Sequence, residues 1–220
     1  MESQHDQAST STEASTPTPE QLRALTHPIR LRLLGILRIN GSATATDLAR
    51  MTELNTGSTS YHLRILAKYG FIERDSELSS GRKLFWKAKQ LYTTVEDPSP
   101  DSDDIENKLD AAGAFMQVAA TETTRQILQA ASDWRTMDTA WQKATTMSDY
   151  AMMLTPHEAD DIAKEVQGIL LNAMQQHPLI HHDTKRSQGS KKTEGSTTDP
   201  QRKAVEMQFH LFPIAQGLLR

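Results

Sequence analysis

From Ile29 onward the apolar side chains fall at helical spacing. Ile29, Leu33, Ile36 and Leu37 lie along one side of a cylinder, while Arg30, Arg32 and Arg38 lie elsewhere on it. The same reading predicts a series of short elements. Thr18-Pro19-Glu20-Gln21 opens a first helix: Thr18 can cap, Pro19 fits the first helical position, and Gln21 can reach back as in a capping box. Thr26-His27-Pro28 restarts the chain as a second helix, which Asn40-Gly41 ends as a left-handed cap. Thr44-Ala45-Thr46-Asp47 then opens a short helix carrying Leu48, Ala49 and Met51. A turn over Glu53–Gly57 leads into a helix from Ser58 to Tyr69, with Thr59, Leu63 and Leu66 as its inward stripe and Gly70 as its terminator. Phe71–Arg74 reads as a strand, residues 75–82 as a polar turn, and Lys83–Ala88 as a returning strand.

The pattern changes after the hairpin. Residues 95–104 form an acidic, proline-containing linker, and helix resumes over about 105–131 with an alanine-rich centre. Trp134 and Trp141 fall in a less regular stretch, and Tyr150–Leu154 reads as a strand. Thr155-Pro156-His157-Glu158 is a capping box opening a helix through about Met174, with Ile162, Val166, Ile169 and Leu170 on one face. Residues 182–203 have the composition of a long flexible loop. Val205, Met207, Phe209 and Leu211 alternate with Glu206, Gln208 and His210, as in a half-buried strand stopped by Pro213. Residues 1–17, Ser/Thr-rich with almost no bulky apolar residue, read as a disordered tail. The expected fold is mainly α with small β: a winged helix-turn-helix over residues 18–94, then a helical C-terminal region over 105–220 with one or two strands, for dimerisation or an accessory role.

Charge sharpens this picture. The 220 residues carry a formal net charge of −4, distributed unevenly. Residues 1–20 hold four acids and no Lys or Arg; residues 21–90 hold twelve bases against five acids; residues 91–220 hold twelve bases against nineteen acids. A basic block between acidic ones suits a polyanion-binding module, because neutralising phosphates releases counterions. The chain has no cysteine, which removes disulfides, thiolate metal sites and thiol redox chemistry. No stretch approaches the ~18 consecutive apolar residues of a membrane helix, and the N-terminus lacks a signal-peptide pattern, so a cytoplasmic protein without a membrane partner is expected.

A helix seated in the DNA major groove needs short polar donors at its start and long cations further along. The helix from Ser58 supplies them: Thr56, Ser58 and Ser60 near its opening, then Tyr61, His62 and Arg64, and Lys68 in its last turn. With the inward stripe fixed, Ser58, Tyr61, Arg64, Ile65 and Lys68 fall largely on the outer face. Arg64 is the first candidate for base or phosphate contact, and Tyr61 offers stacking area and a hydroxyl. His62 lies beside the inward stripe, where it can simply pack. In the turn Ser79-Ser80-Gly81-Arg82-Lys83, Arg82 and Lys83 are placed to touch the adjacent DNA backbone. The plain alternative for each is a solvated polar face.

Three runs in fixed order resemble the ArsR-type winged-helix regulators, in particular their longer, cysteine-free members: His27-Pro28-Ile29-Arg30-Leu31-Arg32, Ser60-Tyr61-His62-Leu63-Arg64-Ile65-Leu66, and Gly70-Phe71-Ile72-Glu73 leading to the wing. The resemblance covers about residues 20–90. It implies a homodimer that binds a pseudo-palindromic double-stranded DNA operator with one recognition helix per half-site. Metal-sensing members carry cysteines where this chain has Thr44-Ala45-Thr46-Asp47, and hydroxyls cannot replace thiolates for soft metals, so that sensing mechanism is excluded. A looser likeness extends through the Trp-containing stretch, Leu154-Thr155-Pro156-His157-Glu158 and His210-Leu211-Phe212-Pro213, and assigns no ligand.

Other signals carry less. His177, His181, His182 and Asp183 could ligate a metal, but solvent-exposed histidines are the simpler account. Phe115, Met116, Trp134, Trp141, Met147, Met152 and Met153 could line a ligand pocket, with core packing or a dimer face as the favoured reading. There is no Gly-rich phosphate loop, no G-x-S-x-G and no H-E-x-x-H, so no enzyme, cofactor or metal is expected. The expected function is sequence-specific transcriptional regulation, as a dimeric repressor. The alternatives are a winged-helix protein-interaction module, or a regulator whose C-terminal region responds to a ligand or metal.

Overall fold

The computed structural model describes residues 17–81, 83–95, 104–179 and 202–214. Residues 1–16 of the predicted 1–17 tail, Arg82, the central part of the acidic linker and most of the 182–203 loop lie outside these residues; Pro17, read as part of the tail, is buried. The chain divides into two compact units, the first built from the elements up to residue 138 and the second from those beginning at residue 139.

The first unit is assembled from capped helices. α1 (Pro19–Leu25) starts with a reciprocal capping box between Thr18 and Gln21. α2 (Pro28–Asn40) has His27 as its N-cap, the imidazole Nδ1 accepting from the Ile29 N–H at 3.2 Å, and it ends at Gly41 with φ of 78°. β1 (Ala43–Thr44) follows at once, a two-residue strand too short to carry a periodic signal. Thr44 and Asp47 then form a capping box that starts α3 (Ala45–Thr52). α4 (Thr56–Lys68) begins two residues before the predicted Ser58 and ends one before Tyr69. Asn55 is the reason: its side-chain oxygen accepts from the Ser58 N–H at 2.7 Å and caps the helix. Gly57, which reads as a turn residue, sits in the first helical turn, where an added Cβ would lie 3.3 Å from the capping Asn55 Oδ1. Past α4, Gly70 takes φ of 80° and turns the chain into β2 (Ile72–Arg74).

β3 (Phe85–Ala88) is the central strand of the sheet, antiparallel to β1 on one side and β2 on the other. Ala43 and Arg74 both stand opposite Trp86, and Ile72 stands opposite Ala88. Trp86 therefore caps the core from the sheet side. Below it, Leu25, Leu33, Leu34, Leu37, Leu48, Leu63, Leu66 and Ile72 are almost wholly removed from solvent and share one cluster with Phe71 and Ala43. Each such side chain contributes roughly 1.5–3 kcal/mol. This leucine cluster is what holds α2, α3, α4 and the wing as one body.

Arg38 ties the exit of the wing to α2. Its Nε donates to the Gln90 carbonyl at 2.9 Å and its Nη2 to Thr93 Oγ1 at 2.7 Å, and burial lowers its pKa to about 10. Arg38→Met keeps the stem but strands both acceptors. We expect it to cost about 1–3 kcal/mol in urea denaturation, and an unchanged midpoint would show the tether to be idle.

α5 (Ile105–Asp133) is longer than the predicted 105–131 and closes the first unit, followed by a single 3₁₀ turn over Trp134–Thr136. Its opening turns pack on α1: Ala111 and Ala112 bury against Leu22, with Val95 and Phe115 alongside, and Arg23 donates to Asn107 Oδ1. The beginning of the C-terminal region is thus part of the same body as the helix-turn-helix, an arrangement that linear spacing does not reveal.

The second unit contains α6 (Thr139–Ala144) and α7 (Pro156–Gln176), the latter opened by the expected Thr155/Glu158 capping box. Neither predicted strand is present. Residues 150–154 and 205–211 are extended or irregular, with no ladder, and both are mostly exposed. Alternation distinguishes two faces of a segment but supplies no hydrogen-bonding neighbour, and an unpaired strand leaves its backbone groups to water. On the predicted apolar face of α7, Ile162, Val166 and Leu170 are half-buried and Ile169 is exposed; no residue of the helix is fully buried. Of the aromatic and methionine set read as core packing or a dimer face, Phe115 packs on the core and Trp141 is half-buried, whereas Met116, Trp134, Met147, Met152 and Met153 are exposed. His177 is exposed, and His181, His182 and Asp183 lie outside the described residues.

Candidate nucleic-acid interface

α3 and α4 form a helix-turn-helix. The turn is set by Glu53, which takes φ of 59° and donates its N–H to Ala49 O, while Leu54 N–H bonds the same carbonyl at 3.0 Å. Thr52 is buried and donates its hydroxyl to Leu48 O at 2.7 Å. α4 then lies with Thr59, His62, Leu63 and Leu66 inward.

The outward face carries most of the candidate residues. Thr56, Arg64 and Lys68 are exposed, and Tyr61 is 59% exposed. Ser58 and Ser60 are half-buried. Lys68 Nζ sits 5.3 Å from the Tyr69 ring centroid, which draws it toward the end of the helix. Two placements need correction. His62 is only 6% exposed, so it cannot serve as a DNA contact; it packs against His27, ring centroids 4.6 Å apart. Ile65, expected on the outer face, is half-buried and packs against the core. Both follow from the breadth of the buried stripe: α4 is embedded between α2, α3 and β2, and one flank of the helix is covered as well as its base.

The wing is built from local chemistry. Asp75 accepts from Ser42 Oγ and from the N–H groups of Glu77 and Leu78, at 3.1 and 3.2 Å, and these bonds, Ser42's foremost, hold its carboxyl below the usual range. At the tip Ser80 and Lys83 exchange both backbone hydrogen bonds, 3.1 and 3.0 Å, and Gly81 takes φ of 58°. Lys83 is exposed, on the β3 side of this turn.

These parts meet. A cleft of about 490 Å³ is lined by Thr44, Thr46 and Asp47 from the start of α3, Ser60 and Arg64 from α4, and Lys83 and Trp86 from the wing. Arg64 and Lys83, separated widely in sequence, thus serve one concavity. The Asp47 carboxylate in its wall is engaged by Thr44 Oγ1 at 2.6 Å and Arg50 at 3.3 Å. Thr46 was legible only as part of a helix opening; its place in the cleft depends on how α3 meets the wing.

No match was found among curated proteins. The family model of a helix-turn-helix domain matches residues 25–75, from the end of α1 through β2, the segment that carries α3 and α4.

Proposed function

We propose that this chain is a transcriptional regulator of the ArsR-type subgroup that seats α4 in the major groove of a double-stranded DNA operator, with the wing on the flanking backbone. The observation that carries this reading is the division of α4. Its inner side is fused into a leucine core, and its outer side presents Tyr61, Arg64 and Lys68 to solvent beside Lys83. Tyr61 and Arg64 offer base-edge and stacking contacts, and Lys68 and Lys83 offer phosphate contacts. The absence of cysteine at the start of α3 argues against thiolate sensing. A homodimer that represses by occluding a promoter follows from the resemblance, and the exposed Ile169 of α7 is in keeping with association.

DNA affinity that falls steeply as salt rises from low to moderate concentration supports this reading. Lys83→Ala should weaken all sequences alike and reduce the slope of log K against log salt by about 1. Salt-insensitive binding to a protein partner, with no retention of DNA, would replace it with a protein-interaction module.

A further inference from the structure

The turn between α1 and α2 and the covered flank of α4 share a feature that DNA contact does not use. His27 caps α2 through an unprotonated Nδ1, since that atom accepts the Ile29 N–H at 3.2 Å. Its ring rests on the ring of His62 at 4.6 Å and 50°, and His62 in turn meets the edge of Tyr61 at 5.3 Å and 71°. A continuous row of rings therefore runs from the start of α2 to the outward face of α4. His62 Nδ1 and Arg30 Nε are both buried without a hydrogen-bond partner.

We propose that the uncharged His27–His62 pair is the positioning element of the recognition helix, clasping α4 to the capped end of α2 and setting Tyr61 outward, and that acid releases this clasp. This rests on the reading of α4 as the DNA-reading helix. Protonating His27 removes the lone pair that caps α2 and puts a cation at a helix N-terminus, where the helix dipole opposes it. Protonating His62 buries a cation between His27 and Arg30. Of the ionisable groups on the elements packed around the pair (Glu20 and Arg23 on α1, Arg30, Arg32 and Arg38 on α2, Asp47 and Arg50 on α3, Tyr61, Arg64 and Lys68 on α4, Tyr69 after it, Glu73 and Arg74 on β2), Arg30 is the one that acts on both rings, and it disfavours their charging. Desolvation is the larger cause for each, and both imidazoles titrate below the ordinary histidine value. The unfolded chain therefore takes up protons first. The pair's contribution is whole above about pH 6.5 and is lost as pH falls through the lowered values.

The sign separates this role from a phosphate contact. A histidine beside a phosphate gains charge on binding, so acid tightens the complex; a buried neutral pair weakens it. The test compares the full chain with the His27→Asn/His62→Phe double variant, in which Asn keeps a capping oxygen and Phe keeps the ring. Thermal melts between about pH 7.5 and 5.5 should show the native midpoint falling by about 3 °C or more beyond any fall in the double variant. A labelled duplex, selected from a random pool at about pH 7.5, should lose roughly threefold more affinity over that range with the native chain than with the variant. Equal pH dependence of the melts, or native affinity that rises with acid, would overturn the proposal. His27→Asn alone reads the same difference if the double variant does not fold. A chain that retains no duplex at any pH would remove the DNA-reading function, while the melts would still decide whether the clasp exists.

Discussion

Leu63→Ala is expected to cost about 2–5 kcal/mol of stability, the range for deleting most of a fully buried leucine and leaving a cavity. Leu63 is completely removed from solvent and belongs to the cluster that includes Leu33, Leu37, Leu48 and Leu66. Leu63 faces the core while the next residue, Arg64, points to solvent. A domain of this kind has only about 5–15 kcal/mol to lose, so the variant should show a much lower urea midpoint with an unchanged slope. DNA retention should fall in step with the folded fraction. A cost under about 1 kcal/mol would mean that α4 is not anchored as described, and the outward face could then not be rigid.

Arg64→Ala is expected to weaken binding to a selected operator by about 1–3 kcal/mol, and to relax preference at one base position if the guanidinium reads a base edge. Arg64 is exposed, stands on the outer side of α4, and lines the same cleft as Ser60 and Lys83. The urea midpoint should stay within about 0.5 kcal/mol of native, because an exposed side chain away from the core carries little stability. Arg64→Lys separates two modes. A bidentate contact to guanine is lost with lysine, whereas a phosphate contact is largely kept. Native affinity in Arg64→Ala would show that the DNA-facing side of the helix has been misplaced.

The two substitutions sit one residue apart in sequence and should behave as opposites. One removes the fold and binding together; the other removes binding alone. That contrast tests the division of α4 more directly than either variant by itself.

The local grammar of the helix starts is largely legible. Thr18/Gln21, Thr44/Asp47 and Thr155/Glu158 were each readable as helix openings, and each forms the reciprocal box. These motifs act within one helical turn, so the neighbours that complete them are already present in the linear chain. The inward stripe of Thr59, Leu63 and Leu66 was readable for a similar reason, since spacing alone puts them on one side. The order of helices followed by a hairpin, and the match to a helix-turn-helix domain over 25–75, agree with that reading.

Elsewhere the linear reading stopped short. α4 starts at Thr56, inside the segment that reads as a turn, because Asn55 caps it and Gly57 leaves room for that cap. β1 has two residues and exists because β3 lies beside it. The strands expected over 150–154 and 205–211 fail for the converse reason: the first is an apolar run and the second alternates, but no strand pairs with either among the described residues.

Periodicity and capping chemistry, which act over a few residues, were therefore settled by the amino-acid order alone: where helices begin, which side of α4 is apolar, and where the basic block falls. The folded arrangement decided everything that depends on meeting a distant neighbour. It put His62 against His27, half-buried Ile65 against the core, brought Arg64 and Lys83 to one cleft, and laid α5 on α1. The physical reason is that burial and electrostatic environment are properties of a residue's surroundings, and those surroundings come from parts of the chain that spacing along a single helix cannot locate.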